Sequence, residues 1–191
     1  LKTEVLNQII QYDNDHLNEF GDDLRKSKLL SYIDSADSAI VSNQTDLRAV
    51  YKITPTRTIN NSYNFSFSNQ IDRTISVPYN DSETEVVVSS YFSYYNPVDS
   101  ITYTARISDD GVGKLRLYYI SNSSTKVILD SNLGTIDYTT GQLSFTINPY
   151  DYTNTIDIYA KLANDDIIVQ QNKFLKIDYD KVYVSINVFS Q

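Results

Sequence analysis

Ile101-Thr102-Tyr103-Thr104-Ala105-Arg106-Ile107 alternates apolar and polar side chains without interruption. Successive side chains of a β-strand point to opposite faces of its sheet, so this period of two predicts a strand with one apolar face. Four other segments alternate in the same way: 64–68, 115–120, 142–147 and 182–188. The pattern indicates a β region built from strands that are buried on one side.

Segments rich in Gly, Asn, Asp, Ser and Thr separate these strands. They are Asp109-Asp110-Gly111, Ser121-Asn122-Ser123-Ser124, Asn132-Leu133-Gly134 and Thr139-Thr140-Gly141. Such residues favour tight turns, because they tolerate left-handed backbone or bond their own backbone. Short strands joined by turns predict a mainly antiparallel region, arranged as a sandwich or a meander.

The N-terminal part of the chain has helical periodicity instead. Apolar residues recur at intervals of three and four, at Leu6, Ile9, Ile10, Leu17, Phe20, Leu24, Leu29, Leu30 and Ile33. Asn14-Asp15 interrupts this pattern and is expected to cap the second of two helices. The segment 34–43 is rich in Ser, Asp, Ala and Asn and predicts a loop.

Together these patterns predict an α+β fold in which a short N-terminal helical segment precedes a mainly antiparallel β region. We expect a helical segment and loop over 1–46, a β domain over 47–165, and closing strands over 166–191 that pack back on the fold. The chain begins at Leu1 and contains no Met, so we also expect it to be a fragment of a longer protein.

Composition excludes several classes of function. The net charge of −8 repels phosphate backbones, which disfavours nucleic acid as a partner. No polybasic run suggests membrane binding, and no apolar run approaches the length of a membrane span. Because the chain has no Cys, it can form no disulfide, thiolate nucleophile or Cys-built zinc site.

Candidate catalytic and metal-binding residues are few. His16 is the only His, and a solvated surface position is the common role for a single His of this kind. Asp13-Asn14-Asp15 begins like a calcium loop but lacks the required Gly and Glu, and a hairpin turn accounts for Gly111-Val112-Gly113-Lys114. The paired acids Asp22-Asp23 and Asp165-Asp166 are best explained as solvated charge. We therefore predict no catalytic residue, no metal site, no cofactor and no enzyme activity.

The aromatic content is dominated by Tyr, with 17 Tyr, 7 Phe and no Trp. Tyr91, Phe92, Tyr94 and Tyr95 lie within five residues, so both faces of that segment carry aromatic rings. An ordinary core strand is one explanation. A protein-contact patch is the other, because Tyr is enriched at binding hot spots.

Three segments resemble a known family in their order along the chain. They are 20–34 (FGDDLRKSKLLSYID) with 38–43 (SAIVSN), 133–143 (LGTIDYTTGQL), and 166–178. The first resembles a helix that leads into the β region of baseplate wedge proteins of T4-like contractile-tailed phages, the baseplate J-like family. The second is similar to a Gly-x-Ile-Asp-Tyr-x-x-Gly hairpin of phage wedge and tail proteins. The third is similar to that family's closing strands, so the chain resembles the C-terminal part of such a protein.

The resemblance implies a structural subunit of the virion that is assembled in the host cytoplasm and located in the tail baseplate. Members of the family contact other wedge proteins and a second copy of themselves in a six-fold baseplate around the tail tube. They also take part in the change of state that triggers sheath contraction. The resemblance suggests no catalytic residue. From the composition, we expect neither a nucleic acid nor a membrane as a partner.

Protein contacts are expected in the helical segment Leu24–Ile33, whose polar face is interrupted by Leu29-Leu30. Core packing of that pair is the alternative. The full set of expected contact residues is Leu24, Lys28, Leu29, Tyr32, Ile33, Tyr91, Tyr94 and Tyr95. A receptor- or carbohydrate-binding β-domain of a tail fibre or adhesin is the alternative function, because exposed Tyr with Asn and Asp can bind sugars.

Overall fold

The computed structural model describes residues 1–56, 59–74, 85–148, 155–169 and 172–187. The chain divides into two compact units. Unit 1 comprises residues 1–46 and 165–191, and unit 2 comprises residues 47–164. Helices precede a mainly antiparallel sheet in the sequence, which confirms the predicted α+β class.

In the part of unit 1 that the structure describes there are two α-helices, α1 (Lys2–His16) and α2 (Lys26–Asp34), and a 3-10 helix at Tyr179–Lys181. Their apolar faces are buried at Val5, Ile9, Tyr12, Leu29 and Ile33. Burial of an apolar side chain of this size stabilises a fold by about 1.5–3 kcal/mol, so these faces fix the helices in unit 1.

The predicted break between the helices was misplaced. Asn14-Asp15 lies within α1, and the chain leaves helical structure between Leu17 and Arg25. Gly21 adopts a φ of 84° in this connection, a left-handed value that suits Gly. Leu24 has helical spacing in the sequence, but it forms an antiparallel β-bridge with Ile167.

The described residues of unit 2 form nine strands. They are β1 (Ala49–Ile53), β2 (Asn61–Ser66), β3 (Val87–Ser89), β4 (Phe92–Asn96), β5 (Ile101–Asp109), β6 (Lys114–Ile120), β7 (Lys126–Asp137), β8 (Gln142–Ile147) and β9 (Ile156–Ala160). They form one sheet in the order β1-β9-β3-β5-β6-β7-β8-β2, with β4 paired to β5, and every pairing is antiparallel. Strands β5 to β8 form the meander that the turn residues predicted.

The sheet of unit 2 curls into a half-barrel. Its terminal strands are β1 and β2, yet the ring of Tyr51 on β1 stacks on that of Phe65 on β2 at a centroid distance of 3.8 Å. On β8 the alternation is complete, because Leu143, Phe145 and Ile147 are buried while Ser144 and Thr146 are exposed.

Strand β7 differs from the prediction at Asn132-Leu133-Gly134, which lies inside the strand and forms no turn. The β6–β7 register shifts next to it, between Leu115 and Leu117, so the extra residues are absorbed as a bulge. A Cβ on Gly134 would overlap the carbonyl oxygen of Ser144 and would lie 2.7 Å from the Cα of Phe145. Gly134 is therefore required by the close approach of β8.

The residue types of the hairpin motif at 134–141 follow from the structure of the β7–β8 turn and from the packing of β7 on β8. Asp137 Oδ1 accepts a hydrogen bond from the backbone N–H of Thr139 at 2.9 Å, and Oδ2 accepts one from the Thr140 hydroxyl at 2.9 Å. Gly141 has a φ of 67°, a left-handed value. The motif is thus explained by turn geometry and sheet packing.

The closing strands predicted over 166–191 are not formed in the described part of that segment, 166–169 and 172–187. It contains the bridge of Ile167 and the 3-10 helix. The alternating segment 182–187 is extended but belongs to no ladder, and Val188 lies outside the described residues. The alternation signals an extended backbone with two different faces, but a ladder also needs a neighbouring strand.

Candidate functional site

The C-terminal segment of unit 1 is held against the start of α2 by acidic side chains. Asp166 accepts hydrogen bonds from the backbone N–H of Lys26 at 3.0 Å and from Nη1 of Arg25 at 3.0 Å. Asp165 accepts one from Nζ of Lys26 at 2.7 Å. The Arg25 guanidinium and the Lys26 N–H lower the pKa of Asp166.

On the other side of the Leu24–Ile167 bridge, the Asp23 carboxylate accepts the backbone N–H of Val169 at 2.9 Å. Asp23, Asp165 and Asp166 therefore anchor the chain, where the sequence had suggested solvated charge. We call these contacts, together with the Leu24–Ile167 bridge, the acidic clasp.

Asp13 is a second anchor within unit 1. Only 4% of its surface is exposed, and its carboxylate accepts hydrogen bonds from the Ile177 N–H at 3.1 Å and from the Tyr179 hydroxyl. A buried carboxylate needs such donors, because an unpaired one is costly in a low-dielectric interior. Asp13 thus joins α1 to the C-terminal segment.

Tyr179 gives this anchor a pH dependence. Burial, with the hydrogen bond to Asp13, raises the pKa of Tyr179 from 10.0 to about 12. The fold therefore favours the protonated phenol. Its contribution to stability is complete below about pH 10 and is lost as pH rises toward about 12.

We expect the difference in unfolding free energy between the unchanged chain and Tyr179→Phe to be constant below pH 10 and to shrink between pH 10 and 12. Urea denaturation at a series of pH values measures it, with the exposed Tyr183 changed to Phe as the control. A difference that stayed constant through pH 12 would contradict the assigned role of the Tyr179 hydroxyl.

A cleft of about 320 Å³ lies beside the C-terminal end of α1, lined by Tyr12, Asp15, His16, Asn18, Asp22, Asp23, Arg25 and Lys28. His16 is half-buried in it, with its ring 5.0 Å from that of Tyr12 and 5.5 Å from that of Tyr32. The Tyr32 hydroxyl donates to Asp15 at 2.9 Å and lies 3.2 Å from Nε2 of His16. The expectation that His16 is simply a solvated surface residue was wrong.

The contacts of His16 connect α1 to α2 through tyrosine rings. The residues that line the cleft include no Ser or Cys, so the cleft supplies no nucleophile for a His-based triad. In the part of the chain that the structure describes, no cluster of three or more His, Asp or Glu side chains is arranged to hold a metal ion. Neither described helix is both long and apolar enough to cross a membrane.

The expected contact residues of unit 1 differ in burial. Leu24, Leu29 and Ile33 are buried, with exposures of 4%, 2% and 7%, which favours the core-packing alternative for these three side chains. Lys28 is exposed and Tyr32 is half-buried at the cleft. Contact roles for Lys28 and Tyr32 stay predictions.

The expected contact residues of unit 2 lie on β4 or just before it. Tyr91 is exposed, and its ring covers the guanidinium of the buried Arg106 at 4.4 Å from the ring centroid. Tyr94 and Tyr95 are half-buried on opposite faces of β4. Tyr91 thus has a packing role within the chain, and contact roles for these three residues also stay predictions.

An exposed aromatic pair in unit 1 was missed at the sequence level. Phe20 and Phe174 pack edge to face at a centroid distance of 5.8 Å, although they are 72% and 49% exposed. The Gly21 N–H donates to the carbonyl of Lys173 at 2.9 Å and holds the two segments together. Gly21, with a φ of 84°, marks a turn in the connection after α1, but no sequence pattern relates Phe20 to Phe174.

Comparison with known proteins finds a similarity in the N-terminal part of the chain. Residues 1–52 match the family described as baseplate structural protein gp6, C-terminal domain III. The match covers 52 of the 191 residues, namely α1, α2 and most of β1. No curated protein matches the chain.

The family match agrees with the predicted class of protein over residues 1–52. It supports a T4-like baseplate protein family and a structural role, which favours a non-enzymatic function. Through this domain, the chain is similar to a structural protein of the phage virion, located in the tail baseplate.

Proposed function

We propose that the chain is a structural subunit of the baseplate wedge, of the baseplate J-like type, in a T4-like contractile-tailed phage. It contacts other wedge proteins and a second copy of itself in the six-fold baseplate around the tail tube. It is assembled in the host cytoplasm and takes part in the change of state that triggers sheath contraction. The single observation that carries this proposal is the family match over residues 1–52, which contain both helices of unit 1.

The structure of unit 1 supports a contact role for the matched segment. Asp13 and the acidic clasp hold the C-terminal segment to the helices. The two segments that carry Phe20 and Phe174 are therefore fixed relative to each other. Exposed aromatic side chains on rigid elements are typical anchors of protein interfaces, because they bury much area and lose little conformational entropy. We infer that this pair docks on a neighbouring wedge protein.

The ion pairs of the acidic clasp are weak enough to be exchanged when the baseplate changes state. Arg25, Asp165 and Asp166 are substantially exposed, and an exposed ion pair contributes about 0–1 kcal/mol. Such pairs can be exchanged for contacts with a neighbour at small cost. The Asp13 anchor is buried and would persist through that exchange.

Replacing Phe20 by Ser tests the proposed docking surface. We expect affinity for neighbouring wedge proteins to fall by about tenfold or more, the loss typical of a hot-spot aromatic residue. Sedimentation of mixtures of the chain with purified wedge proteins measures the affinity. Because Phe20 is 72% exposed, unfolding by urea should be almost unchanged.

Val112→Ser provides the matched control, since Val112 is 84% exposed on the β5–β6 turn of unit 2. Equal losses for the two variants, or no loss for Phe20→Ser, would overturn the docking assignment. A chain that binds glycans on an array and associates with no wedge protein would instead favour the receptor-binding alternative.

A further inference from the structure

The segment 182–187 (VYVSIN) has the side-chain pattern of a half-buried strand. Val182 and Val184 are half-buried, whereas Tyr183 is 86% exposed and Ser185 is exposed. This period of two matches the alternation in the sequence. The segment is therefore already extended, with one apolar row formed by Val182, Val184 and Ile186. The third member of this row, Ile186, is 38% exposed.

The backbone of this segment has no strand beside it among the described residues. The N–H of Val182 donates to the carbonyl of Tyr179 at 3.2 Å and ends the 3-10 helix. From Tyr183 to Asn187, no backbone hydrogen bond joins the segment to another described residue. Unpaired backbone groups of an extended segment are a template for a further strand.

The side chains of the segment do not oppose such pairing. Charged residues or Pro on native edge strands prevent pairing with another chain, and residues 182–187 contain neither. Three of the six residues are Val or Ile and one is Tyr, which are all favoured in sheets. The absence of charge also means that two copies of the segment place no like charges side by side.

We propose that residues 182–187 pair antiparallel with the same segment of a second copy of the chain, across a two-fold axis through Val184. This inference depends on the proposed pairing of two copies and names the surface that performs it. The interface is isologous, which is the commonest way in which identical subunits join.

The face pattern selects this register. Residues directly opposite each other in an antiparallel pair project on the same side of the sheet. An axis through Val184 sets Val184 against its copy and Val182 against Ile186 of the second copy, so the apolar row faces an apolar row. Tyr183 then lies opposite Ser185 of the second copy on the outer face.

Cysteine cross-linking tests the register, because the chain contains no Cys of its own. A mixture of Tyr183→Cys and Ser185→Cys chains should form a disulfide-linked dimer on mild oxidation, since those positions are directly opposite. Each variant alone should cross-link at least about tenfold less, because its two Cys residues are diagonal neighbours roughly 7–8 Å apart, with Cβ atoms only somewhat closer, and a disulfide needs a Cβ–Cβ distance of about 3.5–4.5 Å. Val98→Cys, at a position 90% exposed on the β4–β5 turn, mixed with Ser185→Cys is the control.

A charge exchange at Val184 tests the two-fold axis. Val184→Lys and Val184→Glu should each weaken dimerisation at least about fivefold, because like charges face each other across the axis. An equimolar mixture of the two variants should recover dimer to the level of the unchanged chain. Sedimentation velocity measures the dimer, and urea unfolding of each variant checks that unit 1 is intact.

The outcomes separate this inference from the proposed function. A dimer without the mixed cross-link, or without recovery in the Lys–Glu mixture, would overturn the strand pairing and leave pairing through another surface. A chain that stays monomeric at every concentration would also overturn it, while its binding to wedge proteins would still test the baseplate role. The mixed cross-link together with the recovered dimer would support it.

Discussion

Gly134→Ala is expected to destabilise unit 2 by about 3 kcal/mol, at the upper end of the usual cost of overpacking. A Cβ at Gly134 would overlap the carbonyl oxygen of Ser144 and the Cβ of Phe145, and would crowd the Cα of Phe145. Backbone atoms cannot turn aside as the end of a flexible side chain can. The paired strands β7 and β8 would therefore have to separate locally, and urea denaturation of the chain measures the loss.

Gly111→Ala is the matched control for the Gly134 variant. No atom lies within 4 Å of a Cβ placed at Gly111, but its φ of 80° is left-handed. The control should cost about 1–2 kcal/mol from backbone strain alone. A Gly134→Ala cost no larger than the Gly111→Ala cost would contradict the close approach of β7 and β8.

The parts of the fold that the sequence could predict are those encoded by local periodicity. The alternation at 101–107 lies within β5, and that at 142–147 is β8. One row of side chains is buried in β8, as predicted, but in β5 both rows are buried from Ala105 to Asp109. The turn at Thr139-Thr140-Gly141 was predictable for a similar reason. Its left-handed Gly141 follows from local backbone geometry.

The misplaced helix break has a long-range cause. Leu17, Phe20 and Leu24 keep helical spacing, and each was expected to continue the apolar face. In the structure, Leu24 is buried because it pairs with Ile167, a residue far along the chain. Periodicity reports that a residue is buried, but it does not identify the segment that buries it.

The candidate contact site was predictable only in part, for the same reason. The spacing of Leu29 and Ile33 correctly marked one face of α2, but that face packs into unit 1. Phe20 and Phe174 have no common sequence signal, since the hydrogen bond between Gly21 and Lys173 brings them together. The open edge of 182–187 was hidden because an unpaired strand and a paired strand share one pattern.

Asp109→Ala is expected to have the largest effect of any single substitution considered, about 4 kcal/mol of unfolding free energy. Asp109 is the last residue of β5 and is fully buried. Its Oδ1 accepts the N–H groups of Val86 at 2.8 Å and Val87 at 2.9 Å, and its Oδ2 accepts those of Gly111 at 3.1 Å and the Tyr138 hydroxyl at 2.9 Å. Removing the carboxylate leaves several donors unpaired, at about 1–3 kcal/mol for each that stays buried.

The sequence placed Asp109 in a turn, yet its carboxylate connects β3, the β5–β6 turn and the residue after β7. Burial and the nearby carboxylate raise the pKa of Tyr138 above its usual value, so its phenol remains a donor to Asp109 at neutral pH. Asp109 therefore acts as a structural acceptor inside unit 2 and needs no catalytic explanation.

Three substitutions distinguish the acceptor role of Asp109 from simple loss of volume. Asp109→Asn keeps one oxygen for Val86 and Val87, so it should cost about 1–2 kcal/mol less than Asp109→Ala. Tyr138→Phe removes one donor and should cost about 1 kcal/mol. In the Asp109→Ala background, Tyr138→Phe should cost less than it does alone, because the hydroxyl has already lost its acceptor. Additive losses in urea denaturation would contradict the Tyr138–Asp109 bond, and equal losses for the Asn and Ala variants would contradict the acceptor role.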